Sequence, residues 1–249
     1  MKRSRSKHWG GFTVWELVVI LALLALLAAL LLPALAQAKR KSSRINCINN
    51  VKQIGTAARL WAGDNNDRFP DQVPASGGGL SDTNMTKAPA WAAFQFFQVM
   101  SNELNTPKIV QCPTDEARSA ARAITSSFQT DGPGLPFNNL AVSYFVRCAA
   151  KQGQPQMILS GDRNIYGPTT TPDSNVGYGN SPTNGSGARV IFGSKPARVG
   201  WTPRIHRKGG NVAFADGSVQ QLSSAGLLQA LANSGDTNTI PGANVIVFP

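Results

Sequence analysis

The sequence predicts an α+β protein: one long N-terminal helix, its first half suited to a membrane, packed on a globular head that carries a small antiparallel β-sheet. Three observations lead there. Residues 17–36 are 20 consecutive positions without a charged or hydrogen-bonding side chain, enough at about 1.5 Å per residue to cover the roughly 30 Å core of a bilayer. Ile45, Ile48, Val51, Ile54, Ala58 and Trp61 then continue an i, i+3, i+4 apolar stripe, so the same helix is expected to run on to about Ala62. Past that point, short apolar runs alternate with stretches rich in Gly, Pro and Asn, the pattern of short strands joined by turns.

Each element has its own reason. Lys2, Arg3, Arg5 and Lys7 precede the apolar run, and Lys39, Arg40, Lys41, Arg44, Lys52 and Arg59 follow it. From Leu60 onward 14 basic residues face 12 acidic ones. The formal charge of +11 therefore flanks a membrane-type segment. It does not form the basic patch on a folded head that nucleic-acid binding would need, and no nucleic-acid partner is expected. Basic residues before an apolar run also fit a secretory signal peptide, with Ala34-Leu35-Ala36 as its cleavage site. Against that, the run exceeds the usual signal-peptide core of about 7–15 residues, and Glu16 stands at its edge. A carboxylate there needs a purpose or a partner, although one in a helix's first turn also complements the dipole. Pro33 interrupts the helical hydrogen bonding and is expected to kink or loosen the helix.

The string Gly10-Gly11-Phe12-Thr13-Val14-Trp15-Glu16-Leu17-Val18-Val19-Ile20 resembles the prepilin signature of type IV pilins and type II secretion pseudopilins. The resemblance implies a leader (1–11) removed after Gly11, N-methylation of the new terminal Phe12, and a Glu16 that serves filament assembly by neutralising the Phe12 ammonium of a neighbouring subunit. A proline at the distance of Pro33 belongs to the same pattern, whereas Trp15 departs from the aliphatic residue usual at its position. The organisation this implies is a helix over 12–62, transmembrane over about 14–36, and an extracytoplasmic head over 63–249. Flanking charge alone leaves the orientation open; the resemblance puts the leader inside and the head outside.

In the head, 64–70 reads as a helix-ending turn, since the spacing and terminal Glu of a calcium loop are missing. Residues 74–89 read as loop, 90–104 as an amphipathic helix, and 108–111, 142–147, 156–160, 190–192, 211–215, 218–222 and 245–248 as strands. A helix is expected near 225–232 and a surface loop over 166–187. The segment around Cys47 (47–55), Cys112-Pro113-Thr114-Asp115, and His206 followed after nine residues by Asp216-Gly217 resemble a large pseudopilin-like subfamily. Three cysteines without a C-x-x-C spacing indicate neither a zinc site nor a dense disulfide framework. Because Cys47 and Cys112 both lie in the shared strings, the resemblance points to a bridge between them that closes a loop of roughly 65 residues, worth about 3–4 kcal/mol. Cys148 reads as core.

Asp216-Gly217 is expected as a two-residue hairpin turn, with Val212, Phe214 and Val219 toward the long helix and His206 returning beside Asp216. That pair is read as structural, since the chain has no second histidine after leader removal to help hold a metal; no cofactor is expected. Neither a P-loop nor a nucleophile elbow is present, and no enzyme is expected. The expected role is a structural subunit in the bacterial inner membrane with its head in the periplasm. Its partners would be copies of itself, other pseudopilins, prepilin peptidase and an assembly platform of a type II secretion pseudopilus or type IV pilus-like filament. The alternative is a secreted or membrane-tethered binding module.

Overall fold

The computed structural model describes residues 11, 13–81, 92–116, 125–130, 136–167, 187–236 and 243–249. The expected leader up to Gly10, Phe12, the start of the expected helix at 90–91, half of the expected loop at 74–89 and most of that at 166–187 lie outside the described residues. The chain divides into two units, Met1–Ser42 and Ser43–Pro249.

Helix α1 is Val14–Asp64 and continues through Pro33. Its residues up to Ser42 are all exposed. This stretch is long and apolar enough to cross a membrane. From Cys47 onward one face is buried: Cys47, Val51, Ile54, Gly55, Ala57, Ala58, Trp61 and Ala62. Ile45, expected on that face, is 47% exposed. Burying a side chain such as Val51 or Ile54 stabilises the fold by roughly 1.5–3 kcal/mol. The helix stops at 64–67, where Asn66 and Asp67 take φ of 57° and 58° and the amides of Asn65 and Asp67 donate to the Ala62 carbonyl.

The head is built on a six-stranded antiparallel sheet in the order β4-β8-β1-β2-β6-β7. Its strands are β1 (Tyr144–Arg147), β2 (Ile158–Asp162), β4 (Ala188–Ile191), β6 (Gly209–Phe214), β7 (Val219–Ser223) and β8 (Val245–Phe248). A second ladder pairs β3 (Ile165–Tyr166) with β5 (Gly200–Trp201); neither strand was expected, and Tyr166 stood at the start of the expected loop over 166–187. The expected helix over 90–104 is split into α2 (Ala93–Val99) and α3 (Ser101–Leu104), and α4 is Ser224–Ala232. The expected strand at 108–111 is a 3-10 turn, Pro107–Val110, capped by the Thr106 side chain. Pro107 cannot donate to a sheet ladder and suits the first position of a helical turn.

Strand alternation sends neighbouring side chains to opposite faces. Tyr144, Val146, Leu159, Ala213, Val245 and Val247 join the core cluster that includes α1. Phe145, Ile158, Val212, Phe214, Ile246 and Phe248 join a second cluster with Leu227 and Leu231 of α4. This corrects the expected facing of the β6–β7 hairpin. Val212 and Phe214 point away from α1, and the small Ala213 and Ala215 point toward it. The reason is proximity: a Cβ added at Gly55 would lie 3.5 Å from the Ala213 Cβ, so α1 sits too close for Phe214. Val219 does pack on the α1 side, as expected.

Candidate functional site

The N-terminal end of α1 is closed by its own side chains. Glu16 Oε2 accepts from the Thr13 amide and hydroxyl, both at 2.8 Å, while the Glu16 amide donates to Thr13 Oγ1 at 3.3 Å. This is a reciprocal capping box, announced by the Thr-x-x-Glu spacing that the sequence reading passed over. Gly11, before the expected cut, is exposed.

In the head, four segments bring polar chemistry to one buried place. Cys47 of α1 is disulfide-bonded to Cys112, with Cα atoms 5.2 Å apart, and both residues are fully buried. Thr114 Oγ1 lies 3.0 Å from Cys112 Sγ and 3.7 Å from Cys47 Sγ. His206 completes the group, its Nε2 3.5 Å from Cys112 Sγ and 3.4 Å from Asp162 Oδ2, its Nδ1 3.5 Å from Thr114 Oγ1. Asp162 Oδ2 also accepts from the Asn211 amide at 2.6 Å and its Nδ2 at 3.0 Å. Beside it, Arg163 holds Asp115 through two bonds of 2.6 and 2.8 Å, and Asn164 Nδ2 donates to the carbonyls of Thr202 and Ile205.

His206, Arg207 and Lys208 all adopt left-handed backbone angles, with φ of 55°, 53° and 65°. A non-glycine residue held there costs about 1 kcal/mol or more, so three in succession are sustained by what surrounds them. Burial pushes the His206 imidazole down to about 4, with Arg44 adding to the effect against the pull of Asp115. Burial likewise pushes the Asp162 carboxyl up to about 7, against the two Asn211 bonds. Because burial disfavours both charged forms, the 3.4 Å approach is a contact within a polar network rather than a hydrogen-bonded ion pair.

The expected pairing of His206 with Asp216 is therefore replaced by pairing with Asp162. Asp216 is exposed, and its Oδ1 accepts from the Ser218 amide at 2.7 Å. The turn is also not the two-residue form. Phe214 donates to the Ser218 carbonyl and Gly217 to the Phe214 carbonyl, so the loop is Ala215-Asp216-Gly217 and only Gly217, at φ 79°, is left-handed. That is a three-residue hairpin with glycine at the left-handed position. Its carbonyls are held by α1: Arg59 Nη1 donates to Asp216 O and Lys52 Nζ to Gly217 O, each at 2.7 Å. Lys52 and Arg59 lie seven residues apart and share a helix face.

The motif's two ends thus perform different tasks, His206 over the disulfide and Asp216-Gly217 against α1. Sequence reasoning missed Asp162, Arg163 and Asn164. The usable signal was three charged or amide residues in a row, two positions after the apolar Met157-Ile158-Leu159 and separated from it only by Ser160 and Gly161. No family model, no curated protein and no solved structure matches the chain.

Proposed function

We propose that this protein is a pilin-like structural subunit, most closely of the type II secretion pseudopilin kind. In this reading a prepilin peptidase cuts it after Gly11, it is held in the inner membrane by α1, and it assembles with copies of itself and other pseudopilins on an assembly platform. Its head faces the periplasm. The observation that carries the reading is the asymmetry of α1: the helix that packs on the head through residues 47–62 exposes an unbroken apolar surface over residues 17–36. Such a surface is stable in lipid or against other apolar helices. The Gly11-Phe12-Thr13-Val14-Trp15-Glu16 string at its start supports the same reading.

The capping box supplies a physical basis for the role of Glu16. Before cleavage the carboxylate is satisfied by Thr13; after cleavage the Phe12 ammonium of an adjacent subunit offers a stronger, oppositely charged partner in a low-dielectric bundle. The test is mass spectrometry of the mature chain from cells containing a prepilin peptidase, together with Glu16→Val. Methylated Phe12 at the N-terminus and a Glu16→Val chain that is cut but incorporated at least tenfold less support the proposal. An N-terminus at Gln37 or an intact Met1 would favour the secreted or tethered binding module instead.

A further inference from the structure

A structural disulfide needs no imidazole or carboxylate beside it, because its two sulfurs satisfy each other. Here a histidine and an aspartate are nevertheless buried against one. The sulfurs of Cys47 and Cys112 and a ring nitrogen of His206 all lie within 4.8 Å of one another. Asp162 Oδ2 is 3.4 Å from His206 Nε2, and Asp162 Oδ1 is buried without a hydrogen-bond partner. Desolvating such groups is unfavourable unless something uses them.

We propose that Cys47, Cys112, His206 and Asp162 form a Zn²⁺ site whenever the two cysteines are reduced, so that one cluster alternates between a disulfide and a metal dithiolate. Two thiolates, one imidazole nitrogen and one carboxylate oxygen are a four-ligand set of the softness and number that zinc takes in closed structural sites. The groups around them match a metal's supporting shell. Thr114 Oγ1 faces His206 Nδ1 and can fix the tautomer that leaves Nε2 free for the ion. Asn211 donates twice to Asp162 Oδ2, which orients the carboxylate and leaves the unpartnered Oδ1 for the ion. With zinc–sulfur bonds of about 2.3 Å in a tetrahedron, the sulfurs stand about 3.8 Å apart. Rotation about the cysteine side-chain bonds supplies that separation. Two thiolates and a carboxylate leave one net negative charge on the zinc complex, and the Arg44 guanidinium, near enough to act on His206 and Asp162, offsets it.

Interconversion is ordinary thiol–disulfide exchange. One cysteine thiolate attacks a disulfide of a small molecule or a thiol oxidoreductase, expelling one of its sulfurs as a thiolate. The second cysteine thiolate then attacks the mixed disulfide and expels the other. The Cys47–Cys112 bond forms, two electrons leave on the acceptor's two thiolates, and Zn²⁺ departs into solvent. A dithiol reverses the step. In either state α1 stays tied to the Cys112 loop across 65 residues, so the staple survives a change of redox compartment.

The test uses the full chain in detergent, in a Cys148→Ser background that removes the third thiol. The disulfide is reduced with a phosphine, and Co²⁺ is titrated in and then displaced by Zn²⁺. The proposal expects one Co²⁺ per reduced chain, with thiolate-to-cobalt charge transfer and tetrahedral d–d bands, and no such spectrum from the disulfide form. His206→Gln and Asp162→Asn should each weaken binding by about tenfold or more, whereas His206→Cys should retain a cobalt spectrum with stronger charge transfer. Near-UV circular dichroism of the disulfide forms identifies which variants fold. If the reduced chain unfolds without metal, Zn²⁺ should restore its near-UV signal, since metal binding is then coupled to folding. Absence of stoichiometric uptake, failure of Zn²⁺ to restore an unfolded reduced chain, or folded His206→Gln and Asp162→Asn chains that bind as tightly as the parent would each overturn it.

Discussion

Residues 14–42 and residues 43–64 share one helix, yet every side chain of the first stretch is exposed while the second buries Cys47, Val51, Ile54, Ala58 and Trp61. The second stretch finds its apolar partner within the same chain, at the sheet face carrying Val146, Leu159 and Ala213. The first stretch, more uniformly apolar over residues 17–36, buries none of its side chains and is long and apolar enough to cross a membrane. The composition of the two halves differs accordingly. Leu dominates where any apolar surrounding serves, and small residues such as Gly55, Ala57 and Ala58 appear where a particular sheet must come close.

The largest effect that would break this division is loss of the staple. Cys112→Ser removes a cross-link spanning 65 residues and is expected to destabilise the head by about 3–4 kcal/mol, leaving membrane insertion of the full chain unchanged. Urea unfolding of the detergent-solubilised chain, followed by Trp fluorescence, checks this. A loss under about 1 kcal/mol would mean that packing of residues 47–62 already fixes the helix without the bridge.

A matched pair of charges tests the same comparison from both sides. Leu24 and Leu60 are exposed to similar extents, 56% and 59%, so their exposure alone predicts equal tolerance of arginine. If the first half lies in lipid, Leu24→Arg costs roughly 3 kcal/mol in an insertion assay. Leu60→Arg, on the watery side of the head-bound half, should change urea stability by no more than about 0.5 kcal/mol. Equal, small effects at both positions would place the first half in water.

A smaller effect separates the head's buried acid from its surface. Asp71 is 2% exposed, and its Oδ2 accepts from the Ala149 amide at 2.6 Å. Burial nevertheless pushes its carboxyl up to about 6 from an ordinary 3.8, outweighing the Ala149 bond and Arg147. A raised acid pKa means that the folded state binds more protons than the unfolded state between those two values. Its contribution therefore favours folding below about pH 4, weakens as pH rises through 6, and is level above that. Asp162 acts in the same sense with its rise to about 7, and His206, lowered to about 4, acts in the opposite sense. Asp71→Asn keeps a side-chain oxygen for Ala149 and isolates the Asp71 contribution. Urea midpoints should show the variant close to the parent near pH 4 and more stable than it at pH 7. The reverse order would show that Asp71 is a stabilising anion.

The division of α1 was legible because hydrophobic periodicity and run length report burial directly, and the strands at 211–215 and 245–248 were legible for the same reason. The His206 cluster was legible only in part. Cys47, Cys112 and His206 stand out as rare residue types, but the partner of His206 depends on which strand lies beside β6 in the sheet. That strand is β2, ending at Asp162, and no local pattern announces a sheet order. The facing of Val212 and Phe214 was missed on similar grounds. Alternation gives two faces, and which face meets α1 depends on how closely the helix approaches, a tertiary quantity that no local pattern carries.

That close approach is also where the smallest effect is expected. Glycine in a helix interior is less favourable than alanine by about 0.5–1 kcal/mol, so Gly55 would have to earn its place through tight packing. The packing is close without being tight: an added Cβ would lie 3.5 Å from the Ala213 Cβ and 3.6 Å from the Gly217 Cα, both ordinary van der Waals distances. Gly55→Ala is therefore expected to be neutral or to stabilise the head by up to about 1 kcal/mol. Gly217→Ala should behave oppositely, because its φ of 79° is strained for alanine and its Cβ would meet the Arg59 Cδ at 3.0 Å; a loss of about 1–2 kcal/mol follows. Urea midpoints of the two variants against the parent decide it. A destabilising Gly55→Ala would mean that α1 lies closer to the β6–β7 hairpin than these distances allow, and that Lys52 and Arg59 draw it onto the Asp216-Gly217 carbonyls more tightly than alanine can accommodate.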